Sequence, residues 1–459
     1  MTPLSPYASH LRSLLVLGLP LIGGHLAQFA IQVTDTIMLG WYDVTALAAL
    51  VLGSSFFYVL FLMGAGFGFA VMPLVAAELD NPDGETQIRR VTRMGIWLSM
   101  LVGLCSLVPL LLAEPILLAF GQEPALAGQA AVYLGIAGWG IVPALGVMVL
   151  KSYLAAMERV QVVLWVTILA AAMNAGMNYL LIFGKFGFPE LGIRGAAIAS
   201  VGVHVISLIG LVIYALRQFP EHELFVRLWR PDWSAFFQVF RLGWPIGLTN
   251  LSEVSLFAAS AVMVGWLGTI PLAAHGIAIQ LATATFLVHL GLSNAATIRA
   301  GRALGRRDGP NLRRGALVAV TASVLFAIVT IAIFLTWPEA LMSLFLDPDD
   351  PSKPEIIAIG VGLVAIAALF QMADGGQVMA HGLLRGVQDT RVPLVISAVA
   401  YWLVGVLSGY VFGFVLGHGA MGVWSGLVLG LGVAVAALMW RFWRRALPRA
   451  VPAARPAAS

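Results

Sequence analysis

The sequence has little charge. Asp, Glu, Lys and Arg together make up 10% of its 459 residues, where a soluble domain carries about 25%. The rest is apolar: 60% hydrophobic residues and a mean hydropathy of +0.93. A chain of this length and composition is read as many membrane spans, each needing ~20 mostly apolar residues. Cysteine is nearly absent. Cys105 stands alone in an apolar run, which excludes an internal disulfide and a Cys-based metal site. A phosphate loop is missing too. The nearest candidate, "GVMVLKS" (Gly146 to Ser152), has Leu150 where the second glycine must be. There is no GxSxG element, no His/Cys cluster and no large polar domain. An enzyme is therefore not expected, nor a nucleic-acid partner, nor a bound cofactor. The first apolar stretch, Leu14 to Gly40, is too long for a signal peptide and reads as a retained span.

What is present are twelve apolar runs, expected at 14–40, 46–77, 91–113, 126–150, 162–184, 195–217, 243–267, 272–298, 315–337, 356–384, 392–416 and 420–442. A transmembrane barrel would instead show alternating segments of ~10 residues. Basic residues orient the bundle. Lys185, Arg194 and Lys353 are the only cations in odd-numbered connections, and Lys151 lies at the inner end of span four. The remaining 22 of the 26 Lys and Arg fall on the side shared by the N-terminus, the even-numbered connections and the C-terminus. The positive-inside rule makes that side cytoplasmic. The most basic connection, "RAGRALGRRDGPNLRRG", reads as an anchor on anionic membrane lipid.

The chain repeats itself. At a constant offset of 225, Gly18 meets Gly243, Pro20 meets Pro245, Met38 meets Met263, and Gly40-Trp41 meets Gly265-Trp266. Asp83-Gly84, Glu114 and Leu191-Gly192 meet their equivalents in the same way. The unit has six spans, an even number, so both copies enter from one side and the repeat is parallel. The expected fold is all-α: an integral membrane protein of twelve helices in two pseudo-symmetric six-helix lobes. The expected division is 1–217 for the N-lobe, 218–242 for a cytoplasmic linker, 243–442 for the C-lobe, and 443–459 for a disordered cytoplasmic tail. In transporters built this way the substrate site lies between the halves near the midplane.

Of the 22 acids, three fall within spans: Asp35 in "IQVTDTIMLGW", Glu253 in span seven and Asp374 in span ten. A carboxylate there is unfavourable by about 2.5–3.5 kcal/mol on insertion scales. A buried acid with no fixed cation partner is suited to carry a proton, or with amide oxygens to hold Na⁺. The repeat does not place the acids symmetrically: Asp35 aligns with Ser260, and Glu253 with Gln28. Asn174 and Asn178, four apart, share a helix face and become neighbours of Asp35 if span five packs on span one. His25, His204, His275, His289 and His381 also fall in spans and read mainly as packing residues. The economical reading is a secondary transporter driven by an H⁺ or Na⁺ gradient.

Asp35 in "TDTIMLGW", Pro20 before it, the doubled six-span unit and "GIRGAAIAS" (Gly192 to Ser200) resemble the multidrug and toxic compound extrusion (MATE) family over nearly the whole chain. Glu253 in "NLSEVSLF" and Asp374 in "FQMADGGQ" resemble its NorM-like branch. The resemblance implies a V-shaped antiporter of cationic or amphipathic drugs in a bacterial inner membrane. It implies that Asp35, with Asn174, Asn178 and Ser200, is the N-lobe coupling cluster, and that Glu253 and Asp374 form an ion or substrate site, with Na⁺ as the candidate metal. It also implies that span one bends at Pro20. Position 178 is often Asp in members with a well-defined N-lobe Na⁺ site, so Asn178 argues against strong Na⁺ binding there. A monomer is expected. The alternative is a lipid-linked precursor or polysaccharide flippase of the same superfamily. It is disfavoured because Lys and Arg lie outside the expected spans or at their ends.

Overall fold

A computed structural model describes residues 5–347 and 351–450. Among these residues, twelve helices are long and apolar enough to cross a membrane: α1 (Pro6–Tyr42), α2 (Val44–Glu78), α3 (Gly84–Leu111), α4 (Pro124–Ala156), α5 (Val160–Phe183), α6 (Ile193–Gln218), α7 (Trp233–Gly265), α8 (Thr269–Gly305), α9 (Gly309–Thr336), α10 (Lys353–Gly386), α11 (Arg391–Val415) and α12 (Gly419–Ala450). The described residues contain no strand. The 225-residue offset carries the start of α2 onto that of α8 and both ends of α3 onto those of α9.

The chain divides into two compact units, residues 23–247 and residues 1–22 with 248–459. The two break points are themselves 225 residues apart. Each falls two residues beyond a proline that lies inside a helix, Pro20 in α1 and Pro245 in α7. A helix-internal proline removes one ladder hydrogen bond and weakens the helix there.

In the first unit, glycines of α2 receive side chains of α4. A Cβ on Gly53 would sit 2.8 Å from Tyr133, one on Gly64 2.7 Å from Leu145, and one on Gly68 2.8 Å from Met148. Close packing of this kind holds membrane helices together, because lipid offers no hydrophobic driving force between them. The segment after α6 is tied to α3. Arg89 donates to the carbonyl of His222, Arg93 to those of Glu223 and Leu224, and Trp97 to that of Leu228. Arg90 forms a two-point ion pair with Asp232, at 2.5 and 3.1 Å, which holds the Asp232 carboxyl below its usual range.

In the second unit a polar ladder joins α8 to α10. Thr285 donates to Gln371 at 2.7 Å, Ser293 to the Val378 carbonyl at 2.7 Å, and Thr297 to the Gly382 carbonyl at 2.8 Å. Helices α11 and α12 meet along matched glycines, "GVLSGYVFG" (Gly405, Gly409, Gly413) against "GVWSGLVLG" (Gly422, Gly426, Gly430). A Cβ on Gly426 would lie 2.2 Å from the Gly409 nitrogen, and one on Gly430 2.6 Å from the Gly405 Cα. Backbone cannot yield as a side-chain tip can, so Gly426→Leu should cost at least the ~1–3 kcal/mol typical of overpacking. We expect its melting temperature in detergent to fall by several degrees, while Gly432→Leu, with nothing within 4 Å of its Cβ position, stays near the parent. Equal melting of the two variants would remove the glycine seam as a structural element.

Many helix ends run past the expected apolar runs, and in four the cause is visible. α1 begins at Pro6, preceded by Ser5, whose hydroxyl accepts from the Ala8 amide. α7 begins at Trp233, so residues 233–242 are helix rather than linker. Asp232 accepts from the Ala235 amide at 3.1 Å, and Ala235, Val239 and Leu242 are buried at helical spacing. α8 continues to Gly305 because Ala300 and Ala303 pack with Leu312. α12 continues to Ala450, so residues 443–450 are helical rather than disordered. Phe442 and Ala446 are buried, and Arg441 pairs with Asp389 at 2.8 Å. The remainder of the expected tail, 451–459, lies outside the described residues.

Candidate functional site

Each unit holds one of the intramembrane acid sites. In the first, α1 carries Asp35 and α5 carries Asn174 and Asn178. Asp35 Oδ1 accepts a 2.5 Å hydrogen bond from Asn178 Nδ2, which also reaches Asn174 Oδ1 at 3.3 Å. Both asparagines are fully buried, whereas Asp35 is half-buried. Asn178 Oδ1 and Asn174 Nδ2 are buried without a partner. The four-residue spacing therefore does place the two amides on the face that meets Asp35. Ser200 is one step removed. Its hydroxyl donates to the Ala196 carbonyl at 3.0 Å and stands near Tyr133, which in turn lies in the electrostatic field of Asp35. Tyr133 belongs to this cluster as well. Nothing in its surrounding sequence, "AAVYLGIA", separates it from an ordinary packing tyrosine.

The cluster offers oxygen ligands from a carboxylate and two amides, the donor set a hard cation prefers. It also offers a proton site. An amide that donates to a carboxylate can turn to accept from a carboxylic acid. The unpartnered Asn178 Oδ1 fits either use.

In the second unit, α7 supplies Asn250 and Glu253, α10 supplies Asp374, Gln377, His381 and Arg385, and α11 supplies Ser397 and Tyr401. Glu253 Oε1 accepts from Gln377 Nε2 at 2.8 Å, and Tyr401 donates to Gln377 Oε1. Asp374 is 1% exposed, lies within the electrostatic field of Glu253, and has one carboxylate oxygen, Oδ1, without a partner. One expectation is corrected here. Arg385 does not lie outside span ten. It falls inside α10, half-buried, donates to Asn250 Oδ1 at 2.9 Å, and lies in the field of Glu253. Hydropathy ended the span at 384 because an arginine closes an apolar window. Its partners are supplied by α7, remote in sequence. Glu253 thus has an intramembrane cation nearby, and among the described residues Asp374 has none recorded against it.

Three of the span histidines are packing residues, as expected. His275 accepts from Trp424 at 2.9 Å, His289 pairs with Ser323 at 2.8 Å, and His381 pairs with Ser397 at 3.0 Å. Among the described residues no group of three or more His, Cys, Asp and Glu is placed to hold a metal ion. A cation at either acid site would rely on amide and hydroxyl oxygens as well as carboxylates.

Helices, repeat and acids together define a class: a multi-pass membrane protein of two six-helix repeats, each with its own intramembrane carboxylate site. The family model described as MatE matches this chain twice, over residues 20–180 and 245–411. The chain is 46% identical over 455 residues to the "Probable multidrug resistance protein NorM" of Rhizobium meliloti, covering 99% of this chain and 97% of that one. It is 35% identical over 427 residues to the "Multidrug resistance protein NorM" of Burkholderia vietnamiensis, covering 93% and 92%. Solved structures agree in fold. The eukaryotic MATE transporter AtDTX14 superposes with a TM-score of 0.85 at 18% identity, covering 97% of this chain and 99% of that one. A structure described as MATE in the bent conformation gives 0.86 at 18% identity, covering 97% and 99%. The chain belongs to the multidrug and toxic compound extrusion (MATE) family, in its NorM-like branch.

Proposed function

We propose that this protein exports cationic and amphipathic compounds across a bacterial inner membrane in exchange for inward-moving H⁺ or Na⁺. The observation that carries this reading is the Asp374 carboxylate, buried among helices with one oxygen unpartnered and within the electrostatic field of Glu253. With Arg385 near only one of the two carboxylates, the other needs a proton, a metal ion or an organic cation to neutralise it. A site that accepts any of the three, one at a time, is what exchange requires. Asp35 with Asn174, Asn178 and Ser200 forms a second coupling site. Pro20 gives α1 a place to bend between states. The names of the curated relatives support drug export as the physiological task.

Proteoliposomes test this directly. A cationic dye added on one side should drive H⁺ or Na⁺ to move the opposite way, and collapse of the ion gradient should stop dye uptake. Dye movement indifferent to both gradients would overturn the antiport reading. Movement of a lipid-linked saccharide without dye exchange would favour a flippase.

The basic-residue asymmetry supports cytoplasmic termini. In a Cys105→Ala background, single cysteines at Arg306 and Lys185 should be labelled by impermeant maleimide from opposite sides. Labelling of both from outside intact cells would overturn that orientation.

A further inference from the structure

The polar residues of α1 form a stripe. His25, Gln28, Gln32 and Asp35 are spaced three, four and three apart, which keeps them on one face at 3.6 residues per turn. Asp35 and its asparagines close one end. The other end meets Lys151, which projects from α4 five residues before that helix stops. Lys151 Nζ donates to Gln28 Oε1 at 3.3 Å. His25 of α1 and His204 of α6 both lie within its electrostatic field. Lys151, His25 and His204 are all half-buried.

The composition of this end matters. A lysine ammonium has three protons to donate and no acceptor, and here its recorded hydrogen-bond partner is a neutral amide. Among the described residues no carboxylate appears in its electrostatic surroundings. Ionisable groups inside membrane spans are rare, and they pair or mark a substrate path. The stripe is thus bipolar. A cation and two imidazoles stand at one end, and a carboxylate with two amides at the other. Gln28 and Asp35 are seven residues apart, roughly 10 Å along the helix axis, a length spanned by a fused-ring amphiphile.

We infer that Lys151, with Gln28, His25 and His204, forms an anion subsite that receives the carboxylate of a zwitterionic amphiphile whose cationic end lies toward Asp35. This rests on the drug-export reading and narrows it. Ligands that carry a carboxylate gain the Lys151 contact, and pure cations use only the Asp35 end.

The test uses a matched pair, a xanthene dye with a free benzoate and its methyl ester. The two share one cationic ring system and differ by one negative charge. In the full-length protein purified in detergent, fluorescence polarisation should show that Lys151→Gln weakens the acid dye about tenfold and the ester less than twofold. Lys151→Arg should restore most of the acid dye's affinity. Equal losses for both dyes, or no loss for either, would overturn the subsite. The wild-type protein supplies an arm that needs no variant. Millimolar benzoate should raise the apparent Kd of the acid dye and leave the ester unchanged, and failure to discriminate overturns the proposal equally. Ester transport separates this claim from the one beneath it. Wild-type vesicles that export no ester contradict the export reading itself, whereas export of ester with no carboxylate discrimination contradicts only the subsite.

Discussion

Asp35→Asn should yield a protein that folds, inserts and no longer couples export to an ion gradient. The change is nearly isosteric, and the amide can still meet Asn178, so the contact between α1 and α5 survives. What disappears is the charge. Among the described residues no Lys or Arg is recorded against Asp35, whose recorded hydrogen-bond partners are amides. A carboxylate in that setting binds its proton or cation because nothing else neutralises it. The bound proton or cation loses its one charged ligand, and each 1.4 kcal/mol of lost affinity is about tenfold in an equilibrium constant. Ion-driven dye export in proteoliposomes should therefore fall at least a hundredfold, to background, at normal expression and normal melting temperature. Cells carrying the variant should be as sensitive to cationic dyes as cells without the transporter. Wild-type resistance at matched expression would make Asp35 a structural residue, one that uses its hydrogen bond to fix α1 against α5 and nothing more.

The site residues divide by the kind of signal that exposes them. Asp35, Glu253 and Asp374 stand out because a carboxylate in an apolar run has a cost that must be met somewhere. Asn174 and Asn178 stand out by spacing alone, since residues four apart share a face. The repeat is legible from identities at one offset, and its ends in the structure follow that offset closely. Tyr133, Gln377 and Tyr401 carry no such mark. A tyrosine or glutamine in a span is tolerable on its own, and only the packing of α4 near Asp35, or of α11 against α10, gives it a role. Arg385 is hidden for the opposite reason. Its charge announced the end of a span, while the fold supplied Asn250 and Glu253 to keep it inside. Helix ends failed in the same way. Hydropathy measures where a helix is apolar, but capping by Ser5 and Asp232, and burial of Phe442 and Ala446, decide where it stops.

The same reasoning sets an order among variants of the acid pair in the second unit. Like charges in a weakly polar site disfavour one another, so Glu253 and Asp374 cannot both stay charged without relief. Glu253 is partly relieved, because it accepts from Gln377 and lies in the field of Arg385. Asp374 is not, because its Oδ1 has no partner and the charge recorded near it is the like charge of Glu253. Asp374 is then the group whose charge depends on a mobile cation. A coupling ion and a cationic drug compete for it. Drug affinity should fall as Na⁺ rises, or as pH falls, and whichever ion competes in the parent protein is the coupling ion of this unit. Glu253→Gln with Asp374→Asn should flatten that dependence. Asp374→Asn alone should flatten it nearly as far, whereas Glu253→Gln alone should keep a substantial part, because Asp374 still carries a charge that only a mobile cation relieves. Equilibrium dye binding across a series of Na⁺ concentrations and pH values gives all four slopes. If the double variant binds dye with the parent affinity and the parent slope, these two acids are not where ion and drug compete, and coupling would run through Asp35 alone. If Glu253→Gln flattens the response more than Asp374→Asn, then Arg385 does not offset Glu253, and the division of roles between the two carboxylates is reversed.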